Sequence, residues 1–197
     1  SEPPSYYVAG YLAVVVLFTP LSRIGSTVAR HRDSNRFVLL AAGPMTRLEW
    51  LIAHTLVTAA IVVVAAFLLL VLVYAVTPVG LPSVAGLGLI ALAVSIGAVA
   101  FGAVGALIGS LTRSTDGVIA AANAIALPLL FLSETFIPAA LLPAWFAPVM
   151  ALSPLTYVVR PIRLVTVDGV VAPLGLAPII VVMTVALILA ARVLPRL

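Results

Sequence analysis

The sequence predicts an all-α membrane protein, a polytopic bundle of spanning helices, from its composition and from the length of its apolar runs. Apolar residues make up 64% of 197 positions and charged residues only 8%, whereas a soluble domain carries roughly 25% charged residues. A chain this short has too little interior to remove so many apolar side chains from water. The apolar runs do not alternate with polar residues, so we expect helices rather than barrel strands in the bilayer.

Five segments reach or approach the roughly 20 apolar residues that a spanning helix needs. We assign them to a single transmembrane domain that covers residues 1–197. The predicted spans lie at about 6–24, 48–76, 84–111, 117–132 and 171–194, and the fourth of them is short. A loop at about 25–47 and a segment at about 133–169 form the two long connections.

The distribution of arginine predicts the orientation of the bundle. All ten basic side chains are arginine, and eight of them lie beside the spans in alternate loops, which are therefore predicted to be cytoplasmic. Arg160 and Arg163 lie in the predicted outer segment and are exceptions to this rule. The first residues of the chain are placed outside. Because no basic signal region precedes them, we expect a further helix before them in the natural protein.

The segment at 133–169 is predicted to form short re-entrant or interfacial helices on the outer side. Prolines divide it, and apolar and aromatic side chains between them keep the pieces at the membrane. These prolines are Pro138, Pro143, Pro148, Pro154 and Pro161. Irregular backbone at that depth must pack on protein or line a wet cavity.

The sequence lacks the motifs of several enzyme classes. Without lysine it has no P-loop for ATP, and it has neither an HExxH zinc motif nor a GxSxG elbow. It also has no cysteine, so thiolate metal sites are excluded. We predict that the chain is not an enzyme and binds no cofactor or metal. Since most of its arginines flank apolar spans, we expect membrane lipid rather than nucleic acid as a partner.

Three residues are candidates for a translocation path or gate: Asn123, Glu134 and Trp145. Asn123 lies within the fourth span, where it forms either an interhelical hydrogen bond or a substrate contact. Glu134 follows that span and is either a hydrated helix end or a gate that contacts a cation, because a carboxylate facing lipid is costly. In the third span, Gly105 and Gly109 have the spacing that lets two helix backbones approach closely.

The residues after the fourth span follow an ordered pattern. They read Leu132-Ser133, Phe136-x-Pro138, Leu142-Pro143-x-Trp145 and Ser153-Pro154-Leu155-Thr156-Tyr157, with Arg160 and Arg163 shortly after. The first loop reads Arg32-Asp33, then Phe37-Val38-Leu39-Leu40, then Pro44-Met45-Thr46-Arg47. Both patterns resemble the permease subunits of type 2 ATP-binding-cassette (ABC) exporters. The chain departs from that family at Glu134, where a small residue is usual, and at Ser153, where asparagine is common. It also lacks the acidic residue that the family often has in the loop helix, near the position of Val38.

The resemblance implies a prokaryotic multi-pass permease of the cell membrane with six helices, of which this chain lacks the first. Two permease copies, identical or different, would associate with two cytoplasmic ATPase subunits that bind ATP and Mg²⁺. The complex would export drugs, lipids or glycans. A non-transporting membrane scaffold or assembly factor is the alternative, and a passive channel ranks third.

The resemblance also implies that the loop at 25–47 couples the permease to the ATPase. The residues assigned to this contact are Phe37, Val38, Leu39, Leu40, Pro44 and Arg47. The apolar run is too short to span the membrane, so it either docks in a groove of the ATPase or lies on the inner leaflet. Phe37 and Leu40 share one helical face and are the expected docking residues.

Overall fold

The computed structural model describes residues 4–34, 36–37, 45–77, 80–112, 114–136 and 143–194. Several predicted residues lie outside these ranges, namely Val38, Leu39, Leu40 and Pro44 of the first loop and Pro138 of the outer segment. Within the described ranges every regular element is helical, as predicted.

The described residues form seven α-helices. They are α1 (Pro4–Asp33), α2 (Arg47–Val76), α3 (Val84–Leu111), α4 (Thr115–Phe131), α5 (Ala147–Leu152), α6 (Thr156–Arg163) and α7 (Ala177–Val193). A 3-10 turn precedes α5 at Ala144–Phe146 and another precedes α7 at Pro173–Leu176, while a π turn at Leu164–Asp168 continues α6.

Four of the described helices are long and apolar enough to cross a membrane. They are α1, α2, α3 and the continuous helix Pro173–Val193 that contains α7. The fourth predicted span corresponds to α4, which has only 17 residues and contains Pro128. Seventeen residues extend about 25 Å, less than a hydrocarbon core of about 30 Å. The bundle therefore has four candidate spans and a shorter apolar helix, and the count of five stays a prediction.

The first helix is longer than predicted. We expected the span to end near residue 24 and a loop to follow, but α1 continues to Asp33. Apolar character does fall after Arg23, yet the polar extension remains helical because it still packs on α3. Gly25 lies against Gly109, and Arg32 donates to the carbonyl of Ser110. The first part of the predicted loop is thus a continuation of the helix.

Close contact between α1 and α3 forms the centre of the bundle. A Cβ atom added at Gly105 would lie 2.3 Å from the carbonyl oxygen of Leu21, and one added at Gly109 would lie 2.3 Å from that of Gly25. Only glycine allows the two backbones to come so near. The small-residue stripe of the third span therefore packs on a helix of the same chain. α2 and α7 pack on other sides of α3.

Three helices begin at side-chain caps that the sequence supplies. Thr46, Ser83 and Ser114 each accept a hydrogen bond from the backbone N–H three residues later. At Thr46 the cap is reciprocal, because Glu49 accepts a hydrogen bond from the Thr46 backbone N–H at 2.7 Å. Such caps satisfy backbone groups that have no partner in the first turn of a helix.

The bundle has two chemically different ends. We call the end with the C-termini of α1, α3 and α7 the arginine-rich end, since Arg32 and Arg47 lie there. The N-terminus of α1 and residues 143–169 lie at the opposite end, which we call the outer-segment end. Contacts of Tyr6 with Arg163 and of Gly10 with Thr135 define it.

Candidate functional site

At the outer-segment end, Glu134 forms an ion cluster with two arginines. Its Oε1 accepts a hydrogen bond from Arg160, and its Oε2 lies 3.8 Å from Nη1 of Arg163. The Glu134 side chain is only 11% exposed, whereas that of Arg160 is 46% exposed. The hydrogen bond to Glu134 raises the pKa of Arg160, which therefore stays charged. Glu134 therefore pairs with cationic side chains of the same chain, and its role as a gate stays a prediction.

The side chain of Arg163 contacts two other parts of the chain and so connects three. Its guanidinium donates to the backbone carbonyls of Glu134 and Thr135, the latter at 3.2 Å, and its Cζ lies 3.9 Å from the ring centroid of Tyr6. Tyr6 belongs to the first turns of α1, while Arg163 ends α6. Cation–π contact and charge-assisted hydrogen bonds therefore join α1, α6 and the segment after α4.

The outer segment also satisfies carbonyls at the end of α4. The hydroxyl of Ser153 donates to the Leu129 carbonyl at 3.1 Å, and that of Ser133 donates to the Leu130 carbonyl at 2.8 Å. These carbonyls belong to the last turn of a helix, where backbone partners are few, and that of Leu130 also accepts the Ser133 backbone N–H at 3.4 Å. The backbone after α4 is therefore packed on protein, as irregular backbone at membrane depth requires.

The signature residues form a compact turn between α5 and α6. Thr156 donates through its hydroxyl to the Met150 carbonyl at 2.7 Å, and Tyr157 donates to that of Ala151 at 2.8 Å. Leu155 between Pro154 and Thr156 is fully buried. At the start of α5, the exposed Pro143 accepts a hydrogen bond from the Phe146 N–H through its carbonyl. These contacts hold α6 and its two arginines in place.

Asn123 and Trp145 lie apart from the ion cluster, on exposed surfaces. The buried side of α4 consists of Val118, Ala122 and Ala126, so Asn123 lies on its exposed side. Within the described part of the chain, Asn123 forms no side-chain hydrogen bond. Trp145 is 70% exposed, and its ring contacts Phe146 edge to face. The structure therefore does not bring the three candidate path residues together.

At the arginine-rich end, four aromatic rings form a cluster that we call the ring cluster: His31, Phe37, Trp50 and His54. His54 stacks on Trp50 at a centroid distance of 4.1 Å, and the other ring pairs meet edge to face at 5.3–5.8 Å. Offset and edge-to-face contacts are the favoured arrangements of such rings. The cluster joins the end of α1, Phe37 of the predicted coupling loop and the start of α2.

The position of Phe37 corrects one expectation. We predicted that Phe37 lies on an exposed docking face, but its side chain is only 4% exposed because it packs against Trp50 and His31. The sequence does not reveal this contact, since His31, Phe37 and Trp50 belong to different elements. The role of the loop in coupling stays a prediction.

Two arginines at this end have structural partners. Arg32 donates to the carbonyls of Ser110 and Thr112 at the end of α3, and Arg47 donates to the Leu194 carbonyl at 2.9 Å after α7. Cationic side chains stabilise the C-terminal ends of helices, where carbonyls have no backbone partner. Arg47, which we assigned to the coupling loop, thus also holds α2 against α7. Among the described residues, no group of three His, Asp or Glu side chains could hold a metal ion.

Comparison with known families decides the identity of this helical bundle. The family model described as ABC-2 type transporter matches residues 3–166, more than four fifths of the sequence. The chain belongs to the ABC-2 type transporter family. The resemblance drawn from the motifs is confirmed, and the chain is a multi-pass membrane permease of an ABC transporter. No curated protein matches the chain.

Membership of the ABC-2 type transporter family indicates the general role of the chain and its general type of partner, which the composition alone does not. The membrane domain of this family is a permease component and is not itself catalytic, and it generally works with an ATPase subunit. The matched range ends within the π turn, so it includes the ion cluster, the ring cluster and the signature turn. Both clusters therefore belong to the permease domain itself.

Sequence analysis missed the ion cluster and the ring cluster. One signal for the first was available: Arg160 and Arg163 are two basic residues in a segment where few are expected, and Glu134 is the only acid near the end of α4. Opposite charges at that depth are expected to pair. For the ring cluster the sequence offers no comparable signal.

Proposed function

We propose that the chain is the permease subunit of an ATP-driven ABC exporter in a prokaryotic cell membrane. Two permease copies form the translocation path, and separate ATPase subunits bind ATP and Mg²⁺ on the cytoplasmic side. Drugs, lipids or glycans are the substrate classes that the family resemblance favours. The observation that carries the coupling mechanism is the ring cluster, in which Phe37 of the loop packs against α1 and α2.

The continuous helix α1 offers a physical route for the energy of ATP hydrolysis. His31 of the ring cluster lies on the same helix as Tyr6, which contacts Arg163 of the ion cluster. The two residues are 25 positions apart, which corresponds to about 38 Å. Backbone contact with α3 at Gly105 and Gly109 supports the length between them. Movement of the loop by the ATPase would therefore shift Tyr6 relative to Arg163 and loosen the outer segment.

Asn123 supports association of two copies through α4. An amide on an exposed helix face within the membrane is costly when it contacts only lipid. A second permease copy or the translocation path would provide its hydrogen-bond partner. We therefore propose that the exposed side of α4 faces the partner copy.

Replacement of Phe37 tests the coupling mechanism. Phe37→Ala removes the ring contacts of the loop, and we expect ATP-driven transport and permease-dependent ATP hydrolysis to fall about fivefold or more, while the protein still inserts. Leu81→Ala is a control, because Leu81 is 78% exposed in the link between α2 and α3 and far from the ring cluster. The measurement is ATP hydrolysis and transport by proteoliposomes that contain the permease and its ATPase.

Two outcomes would contradict the proposal. Normal coupling in Phe37→Ala would exclude this contact as the coupling element. Failure of any ATPase subunit to co-purify with the wild-type permease would instead favour the membrane scaffold or the passive channel.

A further inference from the structure

A cavity of about 350 Å³ lies between α1 and α2, toward the arginine-rich end. Its walls are Arg23, Ile24 and Thr27 of α1 and Ala53, His54, Val57 and Thr58 of α2. Neither the proposed coupling route nor the ion cluster uses this cavity, although His54 also belongs to the ring cluster.

The cavity is cationic. The side chain of Arg23 is exposed, and within the described residues it has no hydrogen bond or ion pair. A second guanidinium, that of Arg30, lies 3.4 Å from the hydroxyl of Thr27 at the rim. No carboxylate is among the described residues that line the cavity. An anion in the cavity would therefore meet the Arg23 guanidinium and no carboxylate in the wall, with Arg30 outside the wall beside Thr27.

The depth of Arg23 makes an anionic occupant favourable. It lies ten residues before the end of α1, and His54 lies seven residues after the start of α2, so the cavity is about 10–15 Å from the helix ends. Both helices are candidate spans. Arg23 lies at the inner end of the first predicted span, 6–24, where a guanidinium is at the level of the lipid headgroups and can contact an anion.

An apolar strip leads away from the cavity along α2. Val57 forms part of the cavity wall, and the next residues on the same helical face are at least 41% exposed. They are Ile61, Val64, Leu68 and Leu72. Their spacing of three or four residues places them on one side of the helix over about 22 Å. A hydrocarbon chain lying on this strip would have its polar end at the cavity.

We propose that the cavity binds the anionic phosphate headgroup of a lipid in the cytoplasmic leaflet, and that its acyl chain lies along the strip. Arg23 contacts the phosphate, since guanidinium groups pair with phosphate oxygens through two hydrogen bonds, and Arg30 adds positive charge beside Thr27. Only the assignment of the leaflet rests on the proposed orientation of the permease. The strip favours a lipid over a free phosphate, which would occupy the cavity alone.

Native mass spectrometry of the purified permease tests this site. The permease in detergent is incubated with phosphatidylglycerol, with phosphatidylcholine, or with inorganic phosphate as competitor. We expect wild type to retain phosphatidylglycerol preferentially, and Arg23→Gln to retain about fivefold less, since one arginine near a lipid phosphate contributes about that factor. Arg23→Lys keeps the charge but loses the two-bond contact of a guanidinium, so it should retain more lipid than Arg23→Gln and less than wild type.

Matched variants separate the site from general attraction by positive charge. Arg192→Gln removes another exposed arginine, in the last turn of α7, and should retain lipid as wild type does. Ala53→Leu fills the cavity at an exposed position without a change of charge and should lose the lipid, which provides a second test if Arg23→Gln does not fold.

The proposal is overturned by any of three results. Retention in both Arg23→Gln and Ala53→Leu would show that the lipid binds elsewhere. Equal loss in Arg192→Gln would show nonspecific attraction, and displacement by equimolar inorganic phosphate would show an anion site without a lipid chain. Lipid retention requires neither ATPase nor substrate, so this test and that of the proposed export function fail independently.

Discussion

Glu134 lies 26 residues before Arg160 and 29 residues before Arg163, and each alone is an anomaly in the sequence. The two arginines contradict the expected distribution of charge, and the acid is a carboxylate just after an apolar helix. Their contact resolves these anomalies together, because a carboxylate that is 11% exposed requires a cationic partner. This pairing cannot be predicted from spacing along the chain, because the pairing depends on how α6 folds back on the end of α4.

Replacement of Glu134 should destabilise the outer segment. Glu134→Gln removes the negative charge beside Arg163, which then keeps only its hydrogen bonds to backbone carbonyls. We therefore expect the free energy of unfolding to fall by about 1–3 kcal/mol. The measurement is the melting temperature of the purified permease, with transport assayed in parallel. Asp168→Asn is the control, because Asp168 is exposed at the end of the π turn.

A double-mutant cycle with Arg160→Gln distinguishes the ion pair from a general effect of either side chain. The two substitutions should be less than additive, because each removes the same contact. Full additivity would mean that Glu134 and Arg160 do not stabilise each other.

At the scale of elements, helix boundaries were easier to predict than helix partners. The predicted bounds of the second and third spans differ from those of α2 and α3 by at most one residue, because caps and apolar runs are local signals. The end of α1 was missed by nine residues, because its polar extension is held by α3 and not by its own sequence. Likewise, the glycine spacing in α3 indicated a close neighbour but did not identify α1.

Substitution of the close-contact glycines should weaken the packing of α1 on α3. In Gly105→Ala the added methyl group meets the Leu21 backbone, so we expect a loss of about 1–3 kcal/mol in unfolding free energy. Gly88→Ala in the same helix has open space around its Cβ and should be neutral or slightly stabilising. Thermal unfolding in detergent compares the two. Equal stability would show that the helices can separate at little cost.

The exposed side of α4 should face a second copy. Asn123→Cys is expected to cross-link two permeases through a short bifunctional thiol reagent, because the sequence contains no other cysteine. Val64→Cys is the control, since Val64 lies on the exposed apolar strip of α2. The readout is dimer formation on a denaturing gel. More dimer from Val64→Cys than from Asn123→Cys would place the interface on α2 instead.

For the whole molecule, the composition determined the class of protein and the motifs determined the family, but neither determined the depth of each part in the membrane. α4 illustrates the difference. Its apolar residues predicted a span. However, α4 has only 17 residues and ends before the turn at 132–136, so it is shorter than the four candidate spans. Depth depends on contacts made after α4, such as those of Gly10 with Thr135.

The orientation of the molecule can be measured with introduced cysteines. Gly80→Cys lies in the exposed link between α2 and α3, and Ser34→Cys lies just after α1 at the arginine-rich end. We expect a membrane-impermeant thiol reagent to label Gly80→Cys in intact cells and Ser34→Cys only after permeabilisation. The reverse result would invert the bundle, and labelling of both from outside would exclude the predicted topology.

The carbonyl contacts at the end of α4 have a consequence for the resting cell. If the outer segment moved away, the carbonyls of Leu129, Glu134 and Thr135 would lose the hydrogen bonds that Ser153 and Arg163 now donate. Each such loss in a poorly hydrated place costs about 1–3 kcal/mol, so spontaneous separation would be rare. An idle permease would therefore keep its outer segment in place between transport cycles, which would limit leakage of protons and small ions past that segment.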